Sequence, residues 1–270
     1  MAENDIKFSG AVPDIYDRFM VPMIFEPYAA DMAARVAALN PASVLETAAG
    51  SGVVTRVLAP LLSAEARYVV SDLNPPMLER AKLRQPADER LEWSAADALD
   101  LPFPDESFAV VLCQFGVMFF PSRVKGYGEA KRVLQPGGTF LFNAWGSLAD
   151  NLVAEAVYEA TSAIYPANPP DFFPRVPHGY HDEGRIRADL LAAGFGDVTV
   201  EVLTKESHAP DARHAAVALC QGTPLRMEIV GRDPDSLAAV TDRVEAHLVA
   251  RFGKGPVVAK MQAVVVTAKV

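Results

Sequence analysis

Residues 44–52 read V-L-E-T-A-A-G-S-G, and this stretch decides the fold. It begins as a short apolar run after Pro41, which is typical of a buried parallel strand. The small residues at its end predict a tight loop. Apolar residues then recur at helical spacing from Val53 until Pro60, which must end or kink the helix. A strand, a small-residue loop and a helix in this order form the site where α/β proteins hold nucleoside cofactors.

The glycines of this loop argue against a dinucleotide. A dinucleotide site requires G-x-G-x-x-G, so that the pyrophosphate can lie against the helix N-terminus. Counted from Gly50 and Gly52, the third glycine position is occupied by Thr55, and the frame that starts at Ala48 fails as well. The strand also ends in Glu46, whose negative charge would repel a pyrophosphate and would suit a cation. The pattern therefore favours a positively charged cofactor without phosphate.

Acidic side chains also follow the next two predicted strands. Residues 67–71 form the second strand and Asp72 ends it, about 20 residues beyond the loop, where a carboxylate can accept hydrogen bonds from ribose hydroxyls. Residues 91–95 form the third strand, and Asp97 follows. An isolated aspartate at a strand end is often only a turn former. Three acids at the ends of three successive strands, beginning with Glu46, predict one shared binding site.

The string E-x-A-x-G-x-G resembles the first motif of class I S-adenosylmethionine-dependent methyltransferases. The segments L-P-F-P-D-E-S-F (101–108) and R-V-L-Q-P-G-G-T-F-L (132–141) are typical of the same family. The resemblance is to its small-molecule members, which include the ubiquinone and menaquinone methyltransferases. One difference is Ala48, which stands at the position of the family's first glycine and has less freedom to adopt a positive φ.

The resemblance implies S-adenosylmethionine as the cofactor, which carries a sulfonium and an ammonium group and no phosphate. It implies that Asp72 binds the ribose hydroxyls and that Asp97 binds the exocyclic amine of adenine, while Glu46 suits the cation. The predicted cofactor-binding residues are Glu46, Ala48, Gly50, Gly52, Asp72, Leu73, Met77, Asp97, Ala98 and Gln114. No metal is predicted, because Cys113 and Cys220 lie far apart and have no C-x-x-C partner.

The order of elements predicts an α/β fold with seven strands. The resemblance implies that they form a Rossmann-like mixed sheet with an antiparallel last strand, helices on both faces and a helical lid. The predicted strands are 42–45, 67–71, 91–95, 109–113, 139–144, 198–203 and 257–270. We expect a single methyltransferase domain over residues 1–270, with its core at about 41–145. Residues 1–40 would form an N-terminal cap, and the lid segments would lie at about 146–182 and 206–256.

Local signals predict several element boundaries outside the first motif. Asp182 is expected to be the N-cap of the helix that follows it. Gly137 is expected to be the C-cap of a helix at 124–134. Residues 166–177 are rich in proline and predict a loop, and residues 210–252 predict two or three helices.

Composition excludes several classes of protein. The chain has 270 residues, 50% of them hydrophobic, which is enough for a sizeable core, and its net charge is −9. A protein that binds phosphate backbones normally has a basic face, so nucleic acid is not expected as a partner. The acidic start does not resemble a signal peptide, and no apolar run is long enough to span a membrane. We expect a reduced, cytoplasmic enzyme, and the sequence leaves its oligomeric state open.

The residues after the fourth strand indicate the kind of methyl acceptor. The chain has Gln-Phe-Gly-Val where methyltransferases of DNA adenine or amide nitrogen carry Asn/Asp-Pro-Pro-Tyr, which argues against those acceptors. A partly core, partly acceptor-facing apolar pocket is predicted from Phe115, Met118, Phe119, Phe120 and Trp145. We therefore expect a small apolar or aromatic acceptor. Catalytic residues are not assigned; His178, His181 and Tyr16 are the candidates.

Two other functions share part of this pattern. A nicotinamide-dependent dehydrogenase has the same kind of sheet. This sequence, however, lacks the third glycine of the dinucleotide motif and has an acid, Glu46, where the pyrophosphate would bind. A non-catalytic S-adenosylmethionine-binding protein would keep the loop and the acids. Its mark would be a collapsed or polar lid, which the sequence does not have.

Overall fold

The computed structural model describes residues 12–270, with the side chains from Asp14 onward. The first eleven residues of the predicted N-terminal cap therefore lie outside the described residues. The strands are β1 Ser43–Glu46, β2 Arg67–Asp72, β3 Leu91–Ala95, β4 Phe108–Gln114, β5 Leu134–Trp145, β6 Asp197–Ala209 and β7 Val257–Lys269. In the described chain they form one sheet in the order β3-β2-β1-β4-β5-β7-β6.

The strand directions place the ends of β1 to β4 at one edge of the sheet. β1 is parallel to β2 and β4, β2 is parallel to β3, and β4 is parallel to β5, whereas β7 is antiparallel to β5. The predicted seven-stranded mixed sheet with an antiparallel last strand is thus confirmed. Because parallel strands end at the same edge, Glu46, Asp72 and Gln114 finish neighbouring strands there, and β3 ends at Ala95 beside Asp72.

Helices connect the strands and form most of the remaining chain. They are α1 Val12–Ile15, α2 Glu26–Ala38, α3 Val53–Leu58, α4 Pro75–Arg84, α5 Arg123–Val133, α6 Leu152–Ile164, α7 Phe172–Arg175, α8 Glu183–Ala192, α9 Ala212–Gln221, α10 Leu225–Arg232 and α11 Leu237–Phe252. A π-helix, Tyr16–Phe25, joins α1 to α2. Pro60 ends α3 in a 3-10 turn, as predicted. Asp182 caps α8, because its carboxylate accepts the Arg185 backbone N–H at 2.7 Å; this prediction is also confirmed.

Four boundary predictions are wrong. Gly137 is not the C-cap of α5: the helix ends in an extended residue, Leu134, whose N–H closes it. The fifth strand was predicted to begin at 139, but β5 begins at Leu134, and Gly137 lies in its irregular first part with φ 77°. A short helix, α7, interrupts the predicted proline-rich loop. β6 continues six residues beyond the predicted end at Leu203, to Ala209, because it has a neighbour in the sheet: the Ser207 hydroxyl donates to the Ala259 carbonyl of β7 at 3.1 Å.

The chain divides into two compact units. The sheet unit comprises Tyr28–Trp145, Tyr180–Leu203 and Ala263–Val270. The helical unit comprises the residues up to Pro27, Gly146–Gly179 and Thr204–Gln262. All predicted cofactor-binding residues belong to the sheet unit, whereas Tyr16 and His178 belong to the helical unit. The interpretation of residues 1–270 as one domain with a lid stays a prediction.

Each unit has its own apolar interior. In the sheet unit the central strands are buried along their length, including every residue of β1. In the helical unit α6, α9 and α11 pack together through buried residues such as Val157, Ala216 and Val244. None of the described helices combines the length and the apolarity that a membrane crossing requires.

Candidate cofactor site

The loop between β1 and α3 turns through three residues with positive φ. These are Ala48 (51°), Gly50 (57°) and Gly52 (75°). Gly52 is required for packing, since a Cβ there would lie 2.9 Å from the Ala81 Cβ of α4. Ala48 adopts the left-handed conformation in spite of its Cβ, which costs about 1–2 kcal/mol. The alanine at the first glycine position therefore keeps the shape of the loop at the expense of stability.

Asp72 connects the end of β2 to this loop. Its carboxylate is buried, and its Oδ2 accepts the Gly50 backbone N–H at 2.8 Å. Its Oδ1 accepts from the backbone N–H of Asn74 at 2.7 Å and from the Asn74 amide at 3.3 Å. Burial raises the pKa of Asp72, although these N–H groups oppose the shift. The structure thus brings together Asp72 and the glycine loop. The binding of ribose hydroxyls by Asp72 stays a prediction.

Glu46 is held by two hydroxyl groups that the sequence did not reveal. Its Oε2 accepts from the Thr55 hydroxyl at 2.7 Å and, in a shorter bond, from the Tyr68 phenol. Burial raises the pKa of Glu46 to about 7, while the two hydroxyls and the charge of Arg56 lower it. Electrostatic repulsion from Asp72 raises the pKa of Glu46 further, so the two carboxylates interact. The proposed contact of Glu46 with a cation stays a prediction.

A signal for one of these partners is present in the sequence. Tyr68 is in register with Val44, two residues before Glu46 on the neighbouring strand. Side chains alternate along a strand, so Val44, Glu46 and Tyr68 lie on the same face of the sheet. A tyrosine in a buried strand needs a partner for its hydroxyl. Glu46 is the acid on that face.

Asp97 differs from the other two acids because it is exposed. Its carboxylate accepts the backbone N–H of Leu99 at 2.9 Å, so it also forms the turn after β3. Leu73, after β2, exposes 48% of its surface, whereas Met77 in α4 is buried. Contacts of these residues and of Ala98 with a cofactor stay predictions.

Gln114 ends β4 with a buried side-chain amide. Within the described chain, neither its Oε1 nor its Nε2 has a hydrogen-bond partner. A buried amide without partners costs about 1–3 kcal/mol per unsatisfied group, so native proteins rarely keep one unless a ligand or water completes it. The amide lies at the edge of the sheet where the neighbouring strands end in Glu46 and Asp72.

The turn after Gln114 packs directly on the glycine loop. Phe115 has φ 51°, and its N–H donates to the Asn143 side chain at 2.8 Å. At Gly116 a Cβ would lie 2.5 Å from the Ala48 Cβ and 2.6 Å from the Cys113 Sγ, closer than any side chain can approach. Gly116 is therefore required for this contact. The sequence contains Gly116 but does not indicate that it packs against Ala48 and Cys113.

An aromatic cluster lies at the ends of β4 and β5. The rings of Phe115 and Trp145 are stacked, with centroids 3.8 Å apart and planes 9° apart. The Tyr28 ring meets both edge-on, at 5.2 Å and 5.5 Å. All three are buried, as are Met118 and Phe120 from the predicted acceptor pocket, whereas Phe119 is half-buried.

The catalytic candidates have different environments. His178 is buried and its Nδ1 lies 2.9 Å from the Gly146 carbonyl oxygen, so one ring nitrogen is bonded to the backbone. Tyr16 stacks on Phe25 with ring centroids 5.1 Å apart. His181 lies in the sheet unit and is exposed. Catalytic roles for these residues stay predictions.

Comparison with known proteins places this site in a methyltransferase domain. A family described as methyltransferase domain matches residues 45–142, which run from within β1 to within β5 and include the loop. Demethylmenaquinone methyltransferase of Clavibacter sepedonicus is 31% identical over 188 residues, covering 64% of this chain and 76% of that protein. Ubiquinone/menaquinone biosynthesis C-methyltransferase UbiE of Hahella chejuensis is 32% identical over 118 residues, covering 43% and 47% of the two chains.

A solved structure supports the same fold over most of the chain. The crystal structure of an S-adenosylmethionine-dependent methyltransferase from Thermotoga maritima superposes with a TM-score of 0.53 and 16% identity. It covers 95% of each chain. At this identity the similarity concerns the fold alone.

Proposed function

This chain belongs to the class I S-adenosylmethionine-dependent methyltransferases, and we propose that it methylates a small apolar or aromatic molecule. The dehydrogenase alternative is not favoured. S-adenosylmethionine is its cofactor, which supplies an electrophilic methyl group together with its own leaving group. Residues at the edge of the sheet where the parallel strands end are proposed to bind the cofactor and to orient the acceptor.

The cofactor residues of the proposal are those that meet at the edge of the sheet. Asp72 would accept from the ribose hydroxyls, with the Gly50 N–H holding its carboxylate in place. Asp97 would accept from the adenine amine. The unpartnered amide of Gln114 fits a polar ligand at this edge, because a bound molecule would supply the missing hydrogen-bond partners. Glu46 would supply negative charge beneath the loop in its ionised form, which a bound cation would favour.

The observation that carries the acceptor class is the stack of Phe115 on Trp145 after β4 and β5. Aromatic rings at this edge favour a flat, apolar molecule over a strongly hydrated one. The names of the two relatives refer to quinones, whose rings are flat and apolar. A ring acceptor is therefore the first to test.

The chemistry needs alignment more than it needs acid or base groups. Transfer from a sulfonium is an in-line displacement, and correct orientation with exclusion of water can supply about 7–11 kcal/mol of barrier lowering. The rigid turns at positions 48 and 116 hold the edge of the site in one shape. No general base is assigned. When a ring carbon takes the methyl group, the thioether leaves, and the ring then loses a proton, which water can accept.

A thermal-shift measurement tests the cofactor half of the proposal. S-adenosylhomocysteine, S-adenosylmethionine and NADH are compared, and a ligand at about 100 times its dissociation constant should add roughly 2.7 kcal/mol. We expect a shift with the first two, a loss of it in Asp72→Asn, and no change in Glu79→Gln, an exposed acid paired with Lys82. A shift with NADH alone would reject the proposal.

Methyl transfer tests the acceptor half. The enzyme is incubated with methyl-labelled S-adenosylmethionine and a panel that includes an unmethylated naphthoquinol, a phenol, an aliphatic amine and an oligonucleotide. Label is expected on ring compounds. Transfer confined to the amine or to the oligonucleotide would contradict the proposed acceptor class.

A further inference from the structure

Two arginines of the sheet unit surround one buried tyrosine ring. Arg123 begins α5 and Arg185 lies in the first turn of α8. The guanidinium carbon of Arg123 is 4.1 Å from the centroid of the Tyr180 ring, and that of Arg185 is 5.6 Å from it. Tyr180 is fully buried, so its position is fixed. Both guanidinium groups are thereby held close to this ring.

The tyrosine ring is itself anchored by hydrogen bonds. The Tyr180 hydroxyl accepts from Tyr127 at 3.1 Å and donates to the Asp189 carboxylate at 2.9 Å. Both tyrosines are buried, and Asp189 is half-buried. This network sets the plane on which the Arg123 guanidinium stacks. It also uses the nearest negative charge, that of Asp189.

The guanidinium of Arg123 lacks partners for most of its N–H groups. In the part of the chain that the structure describes, its hydrogen bond is from Nη2 to the Met118 carbonyl at 3.2 Å, and its buried Nε has none. Stacking on a ring satisfies the face of a guanidinium but leaves its N–H edge free. Burial lowers the pKa of Arg123, and the charge of Arg185 lowers it as well. An anion that reached this N–H edge would supply the missing hydrogen-bond partners and favour the charged form of Arg123.

No acidic side chain in the first turns of α5 and α8 pairs with Arg123 or Arg185. Among the described residues, neither Arg123 nor Arg185 forms an ion pair. Asp182 is used as the cap of α8, and Glu183 pairs with Arg187 at 2.8 Å. Other arginines, such as Arg132, have carboxylate partners at 2.8 Å. The two arginines beside Tyr180 thus have no ion-pair partner among the described residues, although the net charge of the chain is −9.

The position of Arg123 connects the pair to the edge of the sheet. The residue comes nine positions after Gln114, at the end of the turn that leaves β4, and it bonds to Met118 within that turn. The same turn contains Phe115, which stacks on Trp145. An anion bound by Arg123 would thus lie against the segment that follows the proposed cofactor edge.

We propose that Arg123 and Arg185 bind a carboxylate carried by the methyl acceptor, an inference that rests on the proposed function. The free edge of one guanidinium matches the two oxygens of a carboxylate. With Asp189 counted, the cluster has a net charge of about +1, which suits a monoanion better than a phosphate dianion. The acceptor is then an apolar or aromatic acid.

Nitrogen-15 NMR of the arginine side chains tests the site directly. Benzoate, benzamide and inorganic phosphate are titrated into the full chain, and the Nε–H signals are assigned with Arg123→Lys and Arg185→Lys. Benzoate is expected to shift both signals, also in the control Arg187→Lys, and benzamide is expected to shift neither. Equal shifts with benzamide, shifts with phosphate alone, or no shifts would overturn the carboxylate site.

Product analysis tests the role in recognition. Methyl-labelled cofactor is incubated with a small-molecule extract, and the label is followed in the acidic and neutral fractions. We expect label in the acidic fraction, and in Arg123→Lys a rate of label transfer lower by about 10- to 100-fold, since lysine keeps the charge but loses the two-point hydrogen bond of the guanidinium. The thermal shift with S-adenosylhomocysteine should not change in this variant.

The outcomes separate the two proposals. Label confined to the neutral fraction, or equal turnover by Arg123→Lys, overturns the carboxylate inference and leaves the proposed function intact. No thermal shift with S-adenosylhomocysteine in the unmodified chain counts against the proposed function instead. The benzoate titration then still decides whether the arginine site exists.

Discussion

Replacing Glu46 by glutamine tests how the buried acid beneath the glycine loop is held. Its carboxyl group is fully buried, and burial raises its pKa from the ordinary 4.5 to about 7. Hydrogen bonds from Tyr68 and Thr55 and the charge of Arg56 oppose this shift, and Asp72 adds to it. Folding therefore favours the protonated form of Glu46. Glutamine has a similar shape and does not titrate.

The sign of the effect follows from this pKa. Protonated Glu46 contributes stability that is complete below about pH 4.5 and is lost as the pH rises to about 7. The pKa difference corresponds to about 3 kcal/mol in the free energy of unfolding. Most of it, roughly 2–3 kcal/mol, falls between pH 5 and pH 8. Glu46→Gln should lack this loss, so its stability relative to the unmodified chain should rise over that interval.

Urea unfolding followed by tryptophan fluorescence at several pH values measures the difference. Titrating groups shared by both proteins cancel when the two free energies are subtracted. Glu92→Gln is the matched control: Glu92 is exposed and its bond to Arg67 lowers its pKa, so the substitution should leave the slope above pH 5 almost unchanged. Parallel curves for Glu46→Gln and the unmodified chain would refute the reasoning.

Three further predictions concern the glycine loop, the turn that packs on it and the two buried cysteines. Gly116→Ala should lower the free energy of unfolding by about 1–3 kcal/mol and weaken S-adenosylhomocysteine binding, because the new methyl group would collide with Ala48 and Cys113; Gly128→Ala, with nothing within 4 Å, should be neutral or stabilising in the same thermal scan. Ala48→Gly should raise stability by about 1 kcal/mol by removing strain at φ 51°, and an unchanged midpoint would contradict this. Burial raises the pKa of Cys113 and of Cys220 to about 12, so both should resist a thiol reagent at pH 8 until urea is added, and fast labelling of the folded chain would disagree.

Much of the sheet could be predicted because its strands have sharp boundaries. β3 has the predicted bounds, since polar residues and turn formers stand on both sides of residues 91–95. The cap of α8 was predictable from Asp182, because capping depends on one local side chain. β6 was predicted too short, since residues 204–209 are largely polar. Only their pairing with β7, a tertiary contact, keeps them extended.

Site residues could be predicted where they follow the end of a strand. Contacts that form only when distant elements pack together could not be predicted. The acids at positions 46 and 72 could be placed because strands end at a shared edge. Thr55 could not be placed as a partner of Glu46, because it reaches the carboxylate only after α3 has packed. Tyr68 could be placed only once the register of β1 and β2 is known. The stack of Phe115 on Trp145 joins residues 30 positions apart and has no local signature.

The contact between Gly116 and Ala48 explains why the first motif tolerates an alanine. A residue with a Cβ in the left-handed region needs external support to stay there. That support comes from the turn after β4, which can approach the Ala48 methyl group only because position 116 has no side chain. The same turn begins at Gln114, whose buried amide is unpartnered in the described chain. A change that moves the loop should therefore also move Gln114, so the two strand ends act as one binding element and not as two independent motifs.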